Sequence, residues 1–130
     1  MYELVLRCEF SAAHQLRMAD GSVEPLHDHD WQVEVYLEGE ALDECGLVMD
    51  FTEVQERLRE IASELHHTTL NELPAFGGEN PSTERVARHI HNRLAPRLPE
   101  GVRPRLVRVW ETGVCAAGYS ERAAGGRGPG

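Results

Sequence analysis

The chain has 130 residues, a length that suits one domain with a single core. It carries 13 Lys and Arg against 22 Asp and Glu, a net charge of −9. With no run of basic residues, this charge argues against nucleic acid or an anionic membrane as a partner. No stretch approaches the length of a membrane span and Met1 leads directly into a strand pattern, so a cytoplasmic location is expected. The three cysteines, Cys8, Cys45 and Cys115, are odd in number and far apart, which favours reduced thiols.

The first third of the chain contains two alternating apolar patterns, each typical of a half-buried β-strand. One strand is predicted over residues 2–12 and the next over 31–38. Residues 13–30 between them are rich in glycine, proline and aspartate, and this composition predicts an irregular connection. The inward-facing residues are Tyr2, Leu4, Leu6, Cys8 and Phe10 in the first strand, and Trp31, Val33, Val35 and Leu37 in the second.

Two amphipathic helices are predicted next. Asp50, followed three residues later by a glutamate, resembles a capping box, and apolar residues at helical spacing then predict a helix over 51–65. Ser82 is the predicted N-cap of a second helix, which ends before Pro96. Two further strands are predicted, over 106–111 and 116–121.

This order of elements, ββααββ, predicts an α+β fold. Neighbouring strands are expected to pair into a four-stranded antiparallel sheet with both helices on one face. Residues 1–122 are expected to form this single domain, and the glycine-rich residues 123–130 to be a disordered tail. Pairing between subunits would cover the two unprotected sheet edges, so an oligomer is expected.

Three histidines at the ends of the first two strands could form a metal site. His27 and His29 point the same way if the second strand begins near His27, and His14 follows the first strand. Three imidazoles leave a tetrahedral zinc ion one open position, which is typical of a catalytic site. The alternative is that all three are incidental polar groups at strand ends, since an isolated H-x-H is a weak signal.

Three other residues are candidates for chemistry near this metal. Glu24 precedes His27 by three residues, close enough to reach a substrate atom held on the metal, although most loop glutamates are simply solvated. His67 follows the first helix, either as a proton carrier or as a C-terminal cap. Glu111 is in phase with the buried residues of its strand and therefore needs a partner. A ligand with two parallel N–H donors, such as a 2-amino-4-oxo pyrimidine edge, would satisfy it.

Six short motifs occur in order along the chain: Phe10-Ser11-Ala12-Ala13-His14, His27-Asp28-His29, Gly46-Leu47-Val48-Met49-Asp50-Phe51, His67-Thr68-Thr69-Leu70-Asn71, Pro81-Ser82-Thr83-Glu84 and Glu111-Thr112. Together they resemble the 6-pyruvoyl-tetrahydropterin synthase and 6-carboxy-tetrahydropterin synthase family over nearly the whole chain. The resemblance implies a tunnelling fold (T-fold), in which trimers close their sheets into a barrel and two trimers stack as a homohexamer.

The same resemblance implies roles for individual residues. It implies that His14, His27 and His29 bind Zn²⁺. It also implies that Glu111, with Thr112 in the same motif, binds the pterin ring of the substrate, 7,8-dihydroneopterin triphosphate.

The chain departs from the family pattern at three positions. The family's catalytic cysteine belongs four residues before the H-x-H pair, where this chain has Val23. The aspartate expected before the helix-end histidine is His66, and the glycine within H-G-H is Asp28. Glu24 instead begins an E-x-x-H-x-H pattern, similar to a variant group in which a glutamate replaces the cysteine. That group is associated with side-chain cleavage to 6-hydroxymethyl-7,8-dihydropterin.

The expected function is a zinc-dependent lyase of this family that breaks the C1′–C2′ bond of the triphosphate substrate. With zinc holding the side-chain hydroxyls, Glu24 would remove the 2′-hydroxyl proton, the C6=N5 imine would accept the electrons and His67 would return a proton. Three alternatives stay open: 6-carboxy-5,6,7,8-tetrahydropterin synthase, 6-pyruvoyl-tetrahydropterin synthase, and a non-catalytic binder of zinc and pterin.

Overall fold

Two long antiparallel strands, β1 (Tyr2–His14) and β2 (His27–Gly39), form the centre of the sheet. The computed structural model describes residues 1–121, so the expected tail over 123–130 lies outside the described residues. Both strands extend further toward the hairpin turn than the sequence pattern predicts, because residues 13–14 and 27–30 continue the pairing. The candidate histidines therefore lie on regular strands.

The sheet has five strands in the order β3-β1-β2-β4-β5, rather than the four that were expected. β4 (Val102–Trp110) and β5 (Ala116–Tyr119) add antiparallel beyond β2. The additional strand, β3 (Thr68–Thr69), is two residues long and pairs parallel with β1. Its partner is the end of β1 that carries the candidate histidine, so β3 lies close to the site described below.

Two helices have the bounds that their caps predict. α1 (Phe51–Leu65) begins after Asp50, whose Oδ1 accepts the Thr52 N–H at 2.8 Å. α2 (Thr83–Leu94) begins after Ser82, whose hydroxyl oxygen accepts a backbone N–H at 3.3 Å. Such caps satisfy N–H groups that a helix leaves free at its start. Short 3₁₀ turns occupy Leu70–Glu72, Pro74–Phe76 and Ala95–Arg97.

Both helices pack on one face of the sheet and cover a single core, which confirms the expected α+β architecture. Trp31 is fully buried there; its Nε1–H donates to the Ala12 carbonyl at 3.1 Å, and its ring stacks on Phe10 with centroids 5.9 Å apart. Burying a large apolar side chain contributes about 1.5–3 kcal/mol. The Trp31 ring also contacts two of the candidate histidines edge-on, with centroids 4.9 Å from His14 and 5.5 Å from His29.

The opposite face of the sheet is open and polar. Ion pairs between neighbouring strands cross it: Arg7–Glu34, Glu38–Arg103 and Glu34–Arg108. A further pair, Glu3–Arg105, joins β1 to β4 across β2. Exposed pairs of this kind contribute little to stability. Because side chains alternate along a strand, adjacent residues such as His29 and Asp30 lie on opposite faces of the sheet. Within residues 1–121, no helix is long and apolar enough to cross a membrane.

Candidate metal centre and active site

His14, His27 and His29 meet at one end of the sheet, on its helix-covered side. His14 is paired with His27 in the β1–β2 register, and the three rings are edge-on to one another with centroids 4.8, 5.4 and 4.7 Å apart. One donor atom from each ring and a carboxylate oxygen of Glu111 all lie within 4.8 Å of one another. These four residues, the donor cluster, could hold a metal ion.

Two backbone carbonyls orient the histidine rings. Nδ1 of His14 lies 2.8 Å from the Pro81 carbonyl oxygen, and Nδ1 of His27 lies 2.8 Å from the Pro25 carbonyl oxygen. Because a carbonyl oxygen only accepts hydrogen bonds, each Nδ1 carries the proton and each Nε2 keeps a free lone pair. Histidines that bind metals usually donate their other N–H in this way.

Two of the inward-facing nitrogens are unsatisfied. Nε2 of His14 is buried without a hydrogen-bond partner among residues 1–121, which costs about 1–3 kcal/mol. Nε2 of His29 is also buried without a well-aligned hydrogen bond, and its nearest polar neighbour is the Glu111 carboxylate. Burial lowers the pKa of His29, although the Glu111 carboxylate, 3.1 Å from its Nε2, opposes that shift. The lowered pKa favours the neutral imidazole that metals bind. The donor cluster therefore fits a metal ion.

Glu111 lies directly after β4 and is tied to the start of α2. Its Oε1 accepts the hydroxyl proton of Thr83, and its backbone N–H donates to the Cys115 carbonyl at 3.0 Å. The side chain is 29% exposed, so its carboxylate can reach a ligand. This position allows two roles, a fourth metal donor or an acceptor for a pair of ligand N–H groups.

Thr112, the next residue, faces the other side of the sheet. Its hydroxyl oxygen accepts the Val114 N–H at 3.3 Å, and it lines a small cleft with Arg7 and Gln32 of the open face. The structure does not bring its side chain to the donor cluster.

Glu24 lies beside the donor cluster, on an extension of the β1–β2 hairpin. Its Oε1 is 3.9 Å from His27 Nε2 and accepts the Leu16 N–H at 3.1 Å. Its own N–H donates to the Leu16 carbonyl at 3.0 Å. The expectation of an irregular connection over 13–30 is wrong at residues 13–14 and 27–30, which belong to the strands. Residues 15–26 lie outside the strands, but backbone hydrogen bonds and one isolated bridge lead them to a tight turn over 18–22. This pairing gives Glu24 a fixed place.

His67 lies on the open face, away from the donor cluster. Its backbone has φ of +59°, a left-handed conformation that few residues other than glycine adopt. It lines an open cleft of about 800 Å³ together with Asp28, Asp30 and Glu72. Because Asp28 and Asp30 alternate with the β2 histidines, this open cleft and the donor cluster lie on opposite faces. Within one chain, the structure does not bring His67 to Glu24.

Two positions that depart from the family pattern also lie apart from the donor cluster. Val23 is opposite Arg17 on the hairpin extension, and it lines a cleft with Asn71 and Asn80. Adjacent strand residues point in opposite directions, so the Val23 and Glu24 side chains diverge. His66 ends α1, and its Nδ1 accepts the Ser11 N–H at 3.1 Å, which is a structural contact.

Sequence reasoning did not assign the Pro81 carbonyl or the Thr83 hydroxyl to the site. Both belong to the motif Pro81-Ser82-Thr83-Glu84, which carried the resemblance, so the motif was the available signal. Their contacts with His14 and Glu111 span 67 and 28 residues of sequence. Only the docking of α2 against the sheet reveals them.

The sequence matches the profile of the 6-pyruvoyl tetrahydropterin synthase family over residues 3–122. The chain belongs to this family. A Pyrococcus furiosus relative named dihydroneopterin monophosphate aldolase is 33% identical over 108 residues, which cover 83% of this chain and 88% of the relative. A Synechocystis relative named 6-carboxy-5,6,7,8-tetrahydropterin synthase is 32% identical over 124 residues, which cover 92% and 93% of the two chains. This confirms the family that the six motifs predict. It also confirms that the protein is an enzyme of the lyase type found in this family.

Solved structures agree with this assignment. The 6-pyruvoyl tetrahydropterin synthase of Caenorhabditis elegans superposes with a TM-score of 0.81 at 21% identity, over 92% of this chain and 95% of that chain. At this identity the match establishes the fold, and the expected T-fold is confirmed.

Proposed function

We propose that this protein is a zinc-dependent lyase that cleaves the C1′–C2′ bond of 7,8-dihydroneopterin triphosphate to give 6-hydroxymethyl-7,8-dihydropterin. The position of Glu24 carries the proposal. Its carboxylate lies at the edge of the donor cluster, 3.9 Å from His27 Nε2, with one oxygen held by the Leu16 N–H. A carboxylate in this position can accept a proton from a substrate hydroxyl that is held at the cluster.

Each member of the donor cluster has a proposed role. His14, His27 and His29 would hold Zn²⁺, since three imidazoles with an open position are a common catalytic zinc site. When bound, zinc supplies stabilisation of negative charge that develops on oxygen. Glu111 would accept two N–H groups from the amino-pyrimidine edge of the pterin, and Thr83 would hold that carboxylate in place.

In the proposed reaction Glu24 takes the proton of the 2′-hydroxyl. The C2′ carbonyl forms, the C1′–C2′ bond breaks and its electron pair moves through C6 onto N5 of the ring. This releases a two-carbon aldehyde that carries the phosphates, and protonation of C1′ completes the hydroxymethyl product. Acid–base catalysis by a positioned group contributes ~10²–10⁴-fold.

Two comparisons support a glutamate-based aldol cleavage. The Pyrococcus furiosus relative is named an aldolase, and a solved Plasmodium vivax synthase variant replaces a glutamate described as a catalytic residue. The aldolase is named for a dihydroneopterin monophosphate. The experiment below therefore compares the triphosphate and the monophosphate as substrates.

A different product is the second candidate. The Synechocystis relative, named 6-carboxy-5,6,7,8-tetrahydropterin synthase, aligns with more of this chain than the aldolase does, and 6-pyruvoyl-tetrahydropterin is the product implied by the family's own name. A non-catalytic binder of zinc and pterin is the remaining alternative, because Val23 and His66 replace the usual cysteine and aspartate.

We also propose that the protein is a homohexamer. His67 faces away from the donor cluster of its own chain and lies next to the edge strand β3, so it would serve the site of a neighbouring copy as a proton donor. Static light scattering should report about six chains of 14.6 kDa each. A stable monomer at micromolar concentration would contradict the assembly and the role of His67 together.

The function is tested by comparing the parent with Glu24→Gln on the triphosphate and monophosphate substrates, with products separated by chromatography. Glutamine keeps the shape and the Leu16 hydrogen bond but cannot take the proton, so turnover should fall ~10²-fold or more with little change in KM. The matched control is Glu56→Gln on the exposed side of α1, which should behave as the parent. Equal turnover of Glu24→Gln and the parent would rule out the mechanism. If the parent protein binds pterin but does not turn it over, the result would favour the non-catalytic binder of zinc and pterin.

A further inference from the structure

The backbone of β1 continues in an extended path beyond His14, where its partner on one edge is a pair of asparagine side chains. The Gln15 N–H donates to Asn71 Oδ1 at 3.0 Å, and Asn71 Nδ2 donates to the Gln15 carbonyl at 2.8 Å. Two residues later, the Arg17 N–H donates to Asn80 Oδ1 at 2.8 Å, and Asn80 Nδ2 donates to the Arg17 carbonyl at 2.9 Å. Each amide therefore occupies the place of a peptide group in a neighbouring strand.

Leu16, between these two residues, is bound from the opposite edge by Glu24. Its carbonyl accepts the Glu24 N–H at 3.0 Å, and its N–H donates to the Glu24 side-chain Oε1 at 3.1 Å. Backbone groups of successive strand residues point to alternate edges, so residues 15–17 are held from both sides. The same short segment that the asparagines hold also carries the N–H that orients the Glu24 carboxylate.

We propose that Asn71 and Asn80 are positioning residues for Glu24. They fix residues 15–17 and thereby keep the Leu16 N–H on Glu24 Oε1. This is the oxygen that lies 3.9 Å from His27 Nε2, so the carboxylate is held in one orientation beside the donor cluster. The proposal rests on Glu24 being the base of the proposed lyase. It also gives a role to Asn71, the last residue of the His67-Thr68-Thr69-Leu70-Asn71 motif, which the reaction itself does not use.

The chemistry of the side chain explains why both positions hold asparagine. A primary amide has one acceptor and two donors, so it can make a donated and an accepted bond to one residue's backbone. Aspartate has the right length but no donor, and alanine has neither group. Asn80 is itself anchored, because its backbone carbonyl accepts a hydrogen bond from Arg85 at 3.1 Å, so the segment is tied to α2 rather than to a free loop.

The first test measures amide hydrogen exchange at Leu16 by NMR in the zinc-loaded protein. The asparagine side chains hydrogen-bond to Gln15 and Arg17 rather than to Leu16, so the exchange at Leu16 reports whether the segment is held through them. Asn71→Ala and Asn80→Ala should each raise the Leu16 exchange rate ~5-fold or more, the size expected for loss of about one net hydrogen bond. Asn92→Ala is the matched control, since within residues 1–121 the hydrogen bond of that amide is to His91 on α2. Unchanged Leu16 exchange in both variants would overturn the proposal.

The second test is a double-mutant cycle on turnover. Asn80→Ala should lower kcat ~10-fold with little change in KM or in zinc content, because the loss concerns the orientation of the base. In the Glu24→Gln background the same change should have almost no effect, since no base is left to orient. An equal decrease in both backgrounds would show a general structural role and overturn the proposal.

The two tests separate this inference from the proposed function. If Glu24→Gln turns over like the parent, the proposed function fails and Glu24 has no catalytic orientation for the asparagines to maintain. The Leu16 exchange rates still decide, independently of turnover, whether the asparagines hold the segment. If Asn71→Ala does not fold, Asn80→Ala carries both measurements alone, because its amide binds a different residue.

Discussion

The donor cluster and the open cleft lie on opposite faces of the same end of the sheet, and both contain histidines and carboxylates. In the donor cluster, four donor atoms converge within 4.8 Å, and within residues 1–121 no other group of three or more does so. In the open cleft, Asp30 instead accepts the Ser11 hydroxyl at 2.6 Å, and His67 stacks on His66 with centroids 3.6 Å apart. Similar composition therefore gives one candidate metal site and one polar surface.

The two sites differ in the hydrogen bonds that hold each histidine on the side of its ring that points away from the site. In the donor cluster, backbone carbonyls fix two imidazoles by Nδ1 and direct their Nε2 atoms inward. In the open cleft, His67 is held by its backbone, through a 2.6 Å hydrogen bond to Ser11, and its ring remains exposed. A metal site depends on such outer hydrogen bonds as much as on its ligands.

The largest expected effect contrasts His29 with its neighbour Asp30 on the opposite face. His29→Ala should lower zinc affinity by more than ~100-fold, since loss of an outer hydrogen bond alone typically costs 10–100-fold. Asp30→Asn should leave zinc affinity unchanged. Metal content by mass spectrometry, with competition titration, measures both. Equal zinc loss in the two variants would mean that the open cleft also binds the metal.

The next contrast concerns pterin binding. Glu111→Gln should weaken binding of a dihydropterin ~10–100-fold, because an amide offers one acceptor where the ring presents two donors and because charged hydrogen bonds are the stronger ones. Glu72→Gln, in the open cleft, should leave binding unchanged. Fluorescence titration in zinc-saturated buffer separates ring binding from metal binding. The reverse order of affinities would place the pterin in the open cleft.

The smallest contrast compares the covered and exposed thiols. Burial beneath α1 raises the pKa of Cys8 to about 12, so at pH 8 only about one Cys8 thiol in 10⁴ is ionised. Cys45 and Cys115 are exposed. Because the thiolate is the reactive form, iodoacetamide should label the two exposed cysteines first and Cys8 only after unfolding. Rapid labelling of Cys8 in the native protein, followed by mass spectrometry, would show that this side of the sheet opens.

Both helices could be predicted from the sequence because their signals are local. Asp50 and Ser82 are strong N-caps, and the buried stripe of each helix repeats at helical spacing. The family followed from six ordered motifs, none of which is specific alone. The convergence of the three histidines was also predictable, since strand alternation places His27 and His29 on one face.

The remaining features depend on contacts that no local pattern encodes. β3 has two residues, too few for any periodicity, and exists because Thr68 and Thr69 align with β1. The hairpin extension has the polar, turn-rich composition of a loop, while its structure depends on side-chain hydrogen bonds from Glu24 and Asn80. The catalytic role of His67 and the substrate contact of Thr112 stay predictions, since both side chains face away from the donor cluster.

The register of β1 and β2 also predicts the order in which the residues of the donor cluster come together as the chain folds. His14 and His27 pair at the closed end of the hairpin, where the intervening loop is shortest and its closure entropy lowest. Glu111 joins them only when α2 and β4 dock, because it comes from a distant part of the chain. A nascent or refolding chain would therefore present three imidazoles before the carboxylate arrives. In stopped-flow refolding with Co²⁺, the absorption of the histidine-bound metal should therefore develop before α2 docks, and Glu111→Gln should leave its rate unchanged.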